Sequence, residues 1–325
     1  MRRRAFGAWA AAFSTGAGTP QLVSGASVPR IAWISGSKRD PQSPFLDGLK
    51  TGLADLGRVE ARDYRIEVHW GDDSRERFEP LVAEMLRSGP DLIVTQGPIL
   101  FAVQRSGTTL PVLFAFSGDP VEGRLVDTFA RPGRNLTGIS LLALELVGKR
   151  MEALVEAVPG LRRVALLTNP GHMGERQELE ASQAAATRLG TVVEYLPFEG
   201  DAGAETALSN ALRAGCQAMM VFPDAGMMRR SERFAQFATQ HRMPAASGWA
   251  EFARRGNLLS YGPNLRQVYG RLSSYVDRVL RGAKPAELPV ELPTTVDHVI
   301  NLRAARAMGL AVPRTALLRA TELVE

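Results

Sequence analysis

The chain has 325 residues, 45% of them hydrophobic and 22% charged, with a formal net charge of +5. Such a chain can form sizeable cores beneath a solvated surface, and two domains suit its length better than one. Its basic residues are scattered among carboxylates with no long positive stripe, which argues against nucleic-acid binding, because phosphate recognition needs local positive density.

The first residues, MRRRAFGAWAAAF, set three arginines before a small apolar segment, and SGAS at 24–27 supplies small residues for a signal peptidase. Residues 1–27 therefore read as an export leader. The leader is atypical, because Ser14 and Thr15 interrupt its apolar segment, and a disordered cytoplasmic N-terminus is the competing reading. No later segment reaches the roughly 20 apolar residues that span a bilayer, so no stable membrane insertion of the mature chain is expected.

RIAWISG at 30–36 reads as a strand ending in a turn, and FLDGLKTGLADLG then changes to helical spacing with Phe45, Leu49 and Leu53 on one face. YRIEVHW, DLIVTQG and PVLFA are the next strands, with helices around ERFEPLVAEMLRSG and PILFAVQRSG between them. NLTGIS at 135–140 forms a strand or crossover, followed by a helix over LLALELVGKRMEALVEAVP that Pro159 and Gly160 terminate. RVALLTNP, TVVEYLPF and CQAMMVFPD repeat the strand pattern, separated by helices ERQELEASQAAATRLG and AETALSNALRAG; RRSERFAQFATQHR is a further helix.

After short apolar runs at 244–265, QVYGRLSSYVDRVLRG forms a helix with Val268, Leu272, Tyr275 and Val279 at core spacing. A proline-containing return segment and a short helix over NLRAARAMGLAVP close the chain. This alternation predicts an α/β protein of two Rossmann-like lobes with parallel-sheet cores. Residues 28–120 with parts of 246–325 are assigned to the first lobe, and 121–245 with parts of 282–325 to the second. Repeated crossing between lobes makes a hinge.

Signals for catalysis are missing. His69, His172, His241 and His298 have no metal-ligand spacing, and His172 in NPGHMG reads most simply as an exposed turn histidine. Cys216, the single cysteine, reads as a small core side chain. No G-x-S-x-G elbow or Walker A loop occurs. No catalytic residue, metal or cofactor is assigned, and the chain is not expected to be an enzyme.

Polar groups instead collect at strand exits, where open α/β sheets form ligand crevices. These are Ser35 and Ser37 in SGSKRDP, Thr95 and Gln96 in TQGP, Ser117 and Asp119 in SGDP, Asn169 in TNP and Asp224 in FPD. Each also has a local turn or capping role open to it, and for Asp119 the following Pro120 favours that role. Trp249 and Tyr261 are candidate recognition walls, with core packing as the equal alternative. The implied pocket is mixed in polarity and suited to a small organic molecule.

The ordered set DLIVTQG, FSGDPVEGRLV, RPGRNLTGIS, RVALLTNP, NLLSYGPNL and GAKPAELPVELPTTVDHVINLRAARAMGL resembles the TrpX-like family of ABC-transporter substrate-binding proteins. The resemblance covers nearly everything after the leader. It implies a periplasmic-binding-protein type I fold with several crossovers, a monomer, and delivery of a captured solute to an ABC permease coupled to a separate ATPase. It also implies that Ser35, Ser37, Thr95, Gln96, Ser117 and Asp119 face the ligand from the first lobe and Asn169 and Asp224 from the second. Amino acids, aromatic acids and other small organics all remain open as ligands, since substrate choice does not transfer with a fold. Two other classes compete: a cytoplasmic α/β enzyme acting on a small polar substrate, and a ligand-binding sensory protein.

Overall fold

Four of the five strands of the first sheet are short and buried on both faces, the pattern of a parallel sheet, while one edge strand is half-exposed. A computed structural model of the chain describes residues 28–40, 43–172 and 174–325, so the expected leader lies outside the described residues. β1 (Arg30–Ser35), β2 (Arg65–Trp70), β3 (Leu92–Gln96), β4 (Val112–Phe116) and β5 (Leu136–Ser140) form a parallel sheet of order β2-β1-β3-β4-β5. Alternation along β1 sends Ile31 and Trp33 into a core with Phe45, Leu49 and Leu53 of α1 (Pro44–Asp55). Ala32 and Ile34 face the opposite core, built with α2 (Phe78–Arg87) and α3 (Ile99–Arg105).

The second sheet contains β6 (Arg163–Thr168), β7 (Val192–Pro197), β8 (Ala218–Val221), β9 (Ala245–Ser247), β10 (Leu259–Pro263), β11 (Val296–Asn301) and β12 (Glu322–Val324). Its order is β12-β11-β10-β9-β8-β6-β7, and β10 with β11 is its antiparallel pair. α4 (Val147–Ala157), α5 (Glu175–Arg188), α6 (Gly200–Arg213), α7 (Ala225–Arg229), α8 (Ser231–His241), α9 (Ala250–Arg254), α11 (Leu302–Met308) and α12 (Arg314–Arg319) belong with this lobe. Cys216 lies in its core, where burial pushes the thiol up to about 11.

The chain passes between the lobes three times: after β5, after β10, and in the return from α10 (Leu265–Leu280) to β11. α10 belongs with the first lobe, packed along α1. Their approach is close because Gly52 faces Gly270: a Cβ at residue 52 would lie 2.4 Å from Ser273 Oγ and 2.8 Å from the Gly270 Cα. The return segment is pinned to β5 by Glu291, whose N–H donates to Gly138 O at 3.1 Å while its carbonyl accepts from Ser140 N at 3.0 Å.

Two lobe boundaries differ from those expected. β5 pairs with β4 in register, so the first sheet continues beyond residue 120. β9 and β10 join the second sheet through β8, which places the strands at 245–263 there rather than in the first lobe. The helix expected from residue 141 begins only at Val147, because 141–146 is the first crossover and Leu142 turns there with φ of 49°.

Candidate functional site

Both sheets direct the carboxyl ends of their parallel strands toward one cleft. β1 and β3 place Ser35 opposite Gln96, and alternation puts both on the sheet face shared with Trp33 and Val94. Tyr269 on α10, itself buried against Trp33 and Phe45, donates its hydroxyl to Gln96 Oε1 at 2.6 Å. Gln96 Nε2 lies 3.5 Å from Ser35 Oγ, which is 2.9 Å from Ser37 Oγ. With Ser35 accepting from Gln96, its proton points at Ser37. The hydroxyl proton of Ser37 is then available to an acceptor in the cleft.

The opposing wall is made by the exits of β6 and β8. Asp224 caps α7, its Oδ1 accepting from Met227 N at 2.8 Å, while Asn169 Nδ2 lies 3.3 Å from its other oxygen. Asn169 is in turn held by an Asx turn, Oδ1 accepting from Gly171 N at 3.1 Å. Burial pushes the Asp224 carboxyl above the usual carboxylate range, against the hydrogen bonds from Met227 and Asn169 and the charge of Arg230.

Between the walls is a cavity of about 490 Å³. Ser35, Ser37, Gln96, Asn169 and Asp224 line it, together with the apolar surfaces of Phe78, Pro98, Phe198 and Met227 and the charged Asp73, Arg75 and Arg230. Phe78, Phe198 and Arg75 were not singled out in the sequence. They follow β2 and β7, and the sheet-end rule that selected TQGP and FPD applies equally to those two strands.

The other five expected residues do not line this cavity. Thr95 is one residue out of phase with Gln96 and packs among Ile34 and Ile93 on the far face, its Oγ1 buried without a hydrogen-bond partner. Asp119 caps its own turn, accepting from Val121 N at 2.7 Å and Glu122 N at 3.0 Å. Trp249 is buried edge-on against Phe45 of α1, with ring centroids 5.3 Å apart, and fills the joint between the lobes. Tyr261 packs against His298 and offers its carbonyl to Arg150 Nε at 3.3 Å.

Ser117 contacts the second lobe directly: its Oγ is 2.7 Å from His172 Nε2. His172 is therefore not the exposed turn residue its local sequence suggests. Only 3% of it is exposed, and it sits between Phe116 of the first lobe and Phe222 of the second, at centroid distances of 5.9 and 4.6 Å.

Ionic links across the cleft mouth complete the closed arrangement. Asp73, after β2, pairs with Arg229 and lies 3.5 Å from Arg230 Nη2, while Arg230 Nε donates to Asp201 at 2.8 Å. Lys38 Nζ is 3.9 Å from the same Asp201, and Gln177 Nε2 donates to Glu122 at 2.7 Å. The guanidinium of Arg75 crosses to the second lobe and rests on Gly171, where a Cβ would fall 0.7 Å from Arg75 Nη2.

Two parallel-sheet lobes, three crossovers and a cavity between sheet ends are the architecture of a two-lobed solute-binding protein. The family model for "ABC transporter substrate binding protein" matches residues 31–324, and the chain belongs to this family. It is 18% identical over 275 residues to a "Tyrosine-binding protein" of Clostridioides difficile (strain R20291), covering 83% of this chain and 79% of that protein. Among solved structures it is similar to a conserved domain protein from Vibrio cholerae, at TM-score 0.83, 23% identity, and 91% and 99% of the two chains. The ABC domain of Streptococcus pneumoniae in complex with L-Trp gives TM-score 0.79, 21% identity, and 90% and 100% coverage.

The family's members are substrate-binding components of ABC importers rather than enzymes, which implies a small-molecule solute and a permease partner. Among the described residues no helix is long and apolar enough to cross a membrane, and no group of His, Cys, Asp or Glu could hold a metal ion.

Gly171→Ala is expected to leave the thermal midpoint unchanged, because the atom it meets is the flexible tip of Arg75. The displaced guanidinium should nevertheless hold the lobes apart. Solution X-ray scattering should then show a larger radius of gyration than for the wild type, and an unchanged radius would remove Arg75 from the closed interface.

Proposed function

We propose that the cavity captures a small zwitterionic amino acid with an apolar or aromatic side chain. One observation carries this reading: a buried carboxylate, Asp224, faces a cleft whose other wall offers the hydroxyl of Ser37 in the Tyr269-Gln96-Ser35 chain. A carboxylate whose proton affinity is raised by burial is short of positive charge, and a ligand ammonium supplies it. Ser37 donates to the ligand carboxylate from the opposite side. Phe78, Pro98, Phe198 and Met227 supply apolar surface for the side chain.

The tyrosine-binding relative and the L-Trp-bound neighbour support the same ligand class. A volume near 490 Å³ accommodates a ligand of that size. On this reading the chain is a periplasmic monomer that closes over its ligand and presents the closed face to a permease powered by a separate ATPase. Ser35, Ser37, Gln96, Asn169 and Asp224 are its proposed ligand-facing residues.

Mass analysis of natively purified protein, with calorimetry against neutral amino acids, their deaminated acids and aldoses, tests the proposal. Saturable binding of an aromatic or branched amino acid, with the deaminated analogue at least about tenfold weaker, is the expected result. Preferential capture of an aldose would overturn it.

A further inference from the structure

We propose that His172 makes lobe closure acid-sensitive: a neutral imidazole completes the closed cleft, and a protonated one holds it open. The inference rests on closure being the act of capture, as proposed above, but not on the identity of the ligand.

The geometry fixes the protonation state. His172 Nδ1 accepts the Gly174 backbone N–H at 3.0 Å, so the ring proton resides on Nε2, which donates to Ser117 Oγ at 2.7 Å. An imidazolium carries a proton on Nδ1 as well and would set it against the Gly174 N–H. Both hydrogen bonds can be made only by the neutral ring.

The surroundings offer no compensation for a charge. The ring lies between Phe116 from β4 and Phe222 from the end of β8, and the charged group acting on it is Arg75, from the short turn Arg75–Arg77 of the first lobe. Asp224 is joined to the same loop through Asn169 but is not among the charges that act on the ring. Burial first, and Arg75 second, lower the His172 value to about 3.

Three of these neighbours, Phe116, Ser117 and Arg75, belong to the opposite lobe and leave the ring when the cleft opens. A solvated histidine titrates near about 6.5. Closure below that pH must expel a proton. The closed state therefore has its full advantage above about pH 6.5 and loses roughly tenfold per pH unit as the pH falls toward the closed-state value.

Two measurements test this. In the first, the His172 ring is followed by NMR, its signal assigned by its loss in His172→Asn. It is expected to titrate near about 6.5 in the open, ligand-free protein and well below that with L-tryptophan. In the second, calorimetry with L-tryptophan is expected to show roughly thirtyfold weaker binding at about pH 5 than at about pH 7.5. One proton should be released per ligand at the lower pH, and His172→Asn should show neither effect.

A ring that titrates near 6.5 with and without L-tryptophan, or an equal loss of affinity in His172→Asn, overturns the proposal. If L-tryptophan produces no heat at the higher pH, the proposed ligand class fails. The ring titration is then repeated with the deaminated acid or aldose that does bind: a value that falls well below about 6.5 on binding supports the role of His172, and one near 6.5 with and without that ligand overturns it.

Discussion

Arg150→Ala is expected to destabilise the protein by about 3–5 kcal/mol, which urea unfolding would register as a large drop in midpoint with little change in slope. Arg150 on α4 and Glu178 on α5 are both 0% exposed, with Nη1 and Oε1 3.5 Å apart. Neither of those atoms has a hydrogen bond, and the second Glu178 oxygen and Ser182 Oγ are also buried without partners. Arg150 also reaches two chain crossings, with Nη2 3.4 Å from Ala143 O and Nε 3.3 Å from Tyr261 O. Its removal strands a carboxylate inside the lobe and frees both carbonyls.

Burial pushes Glu178 up to about 7 even with Arg150 beside it. A carboxyl raised in the folded state contributes most below its ordinary value, and that contribution is lost as the pH rises through about 7. His172 acts in the opposite sense, its contribution present above about 6.5 and lost toward about 3. Glu178→Gln should therefore flatten the alkaline limb of the stability profile and leave the acid limb in place. An Arg150→Ala protein as stable as the wild type would show that water reaches and solvates this pair.

The first lobe was legible because β1, β3 and β4 are continuous apolar runs separated by amphipathic helices, and each signal is local. β9 is only three residues long, between Pro244 and Gly248, and β11 follows a stretch broken by prolines and threonines. β9 is too short to declare a period, and the six residues of β11, VDHVIN, mix polar and apolar without regular alternation. Both become strands because a neighbouring edge is available to pair with them.

The same distinction holds at the site. Strand exits located Ser35, Ser37, Gln96, Asn169 and Asp224 at the cavity, but the exit rule does not say which face a residue occupies. Thr95 and Gln96 are adjacent and point in opposite directions. Trp249 was drawn to the joint between lobes by Phe45, about two hundred residues earlier, a contact no local pattern encodes. The burial of His172 is similarly nonlocal, since half of its enclosure comes from the other lobe.

Asp224→Ala is expected to lower ligand affinity by about a hundredfold or more, and Asp224→Asn by nearly as much. The pair separates two roles of one side chain. Alanine removes both the charge in the cavity and the cap on α7, adding a stability loss of about 1 kcal/mol. Asparagine retains an oxygen for the Met227 N–H, so the cap survives, while the charge and the oxygen that accepts from Asn169 Nδ2 are lost.

If Asp224 pairs with a ligand ammonium, calorimetry on Asp224→Asn should show the affinity loss with a thermal midpoint near that of the wild type. The deaminated ligand, which has no ammonium to lose, should bind the wild type and Asp224→Asn almost equally. Wild-type affinity for the amino acid in Asp224→Asn would instead confine Asp224 to its capping role. Recognition would then rest on the Ser35-Ser37-Gln96 wall and on hydrogen bonds that do not require a cationic ligand.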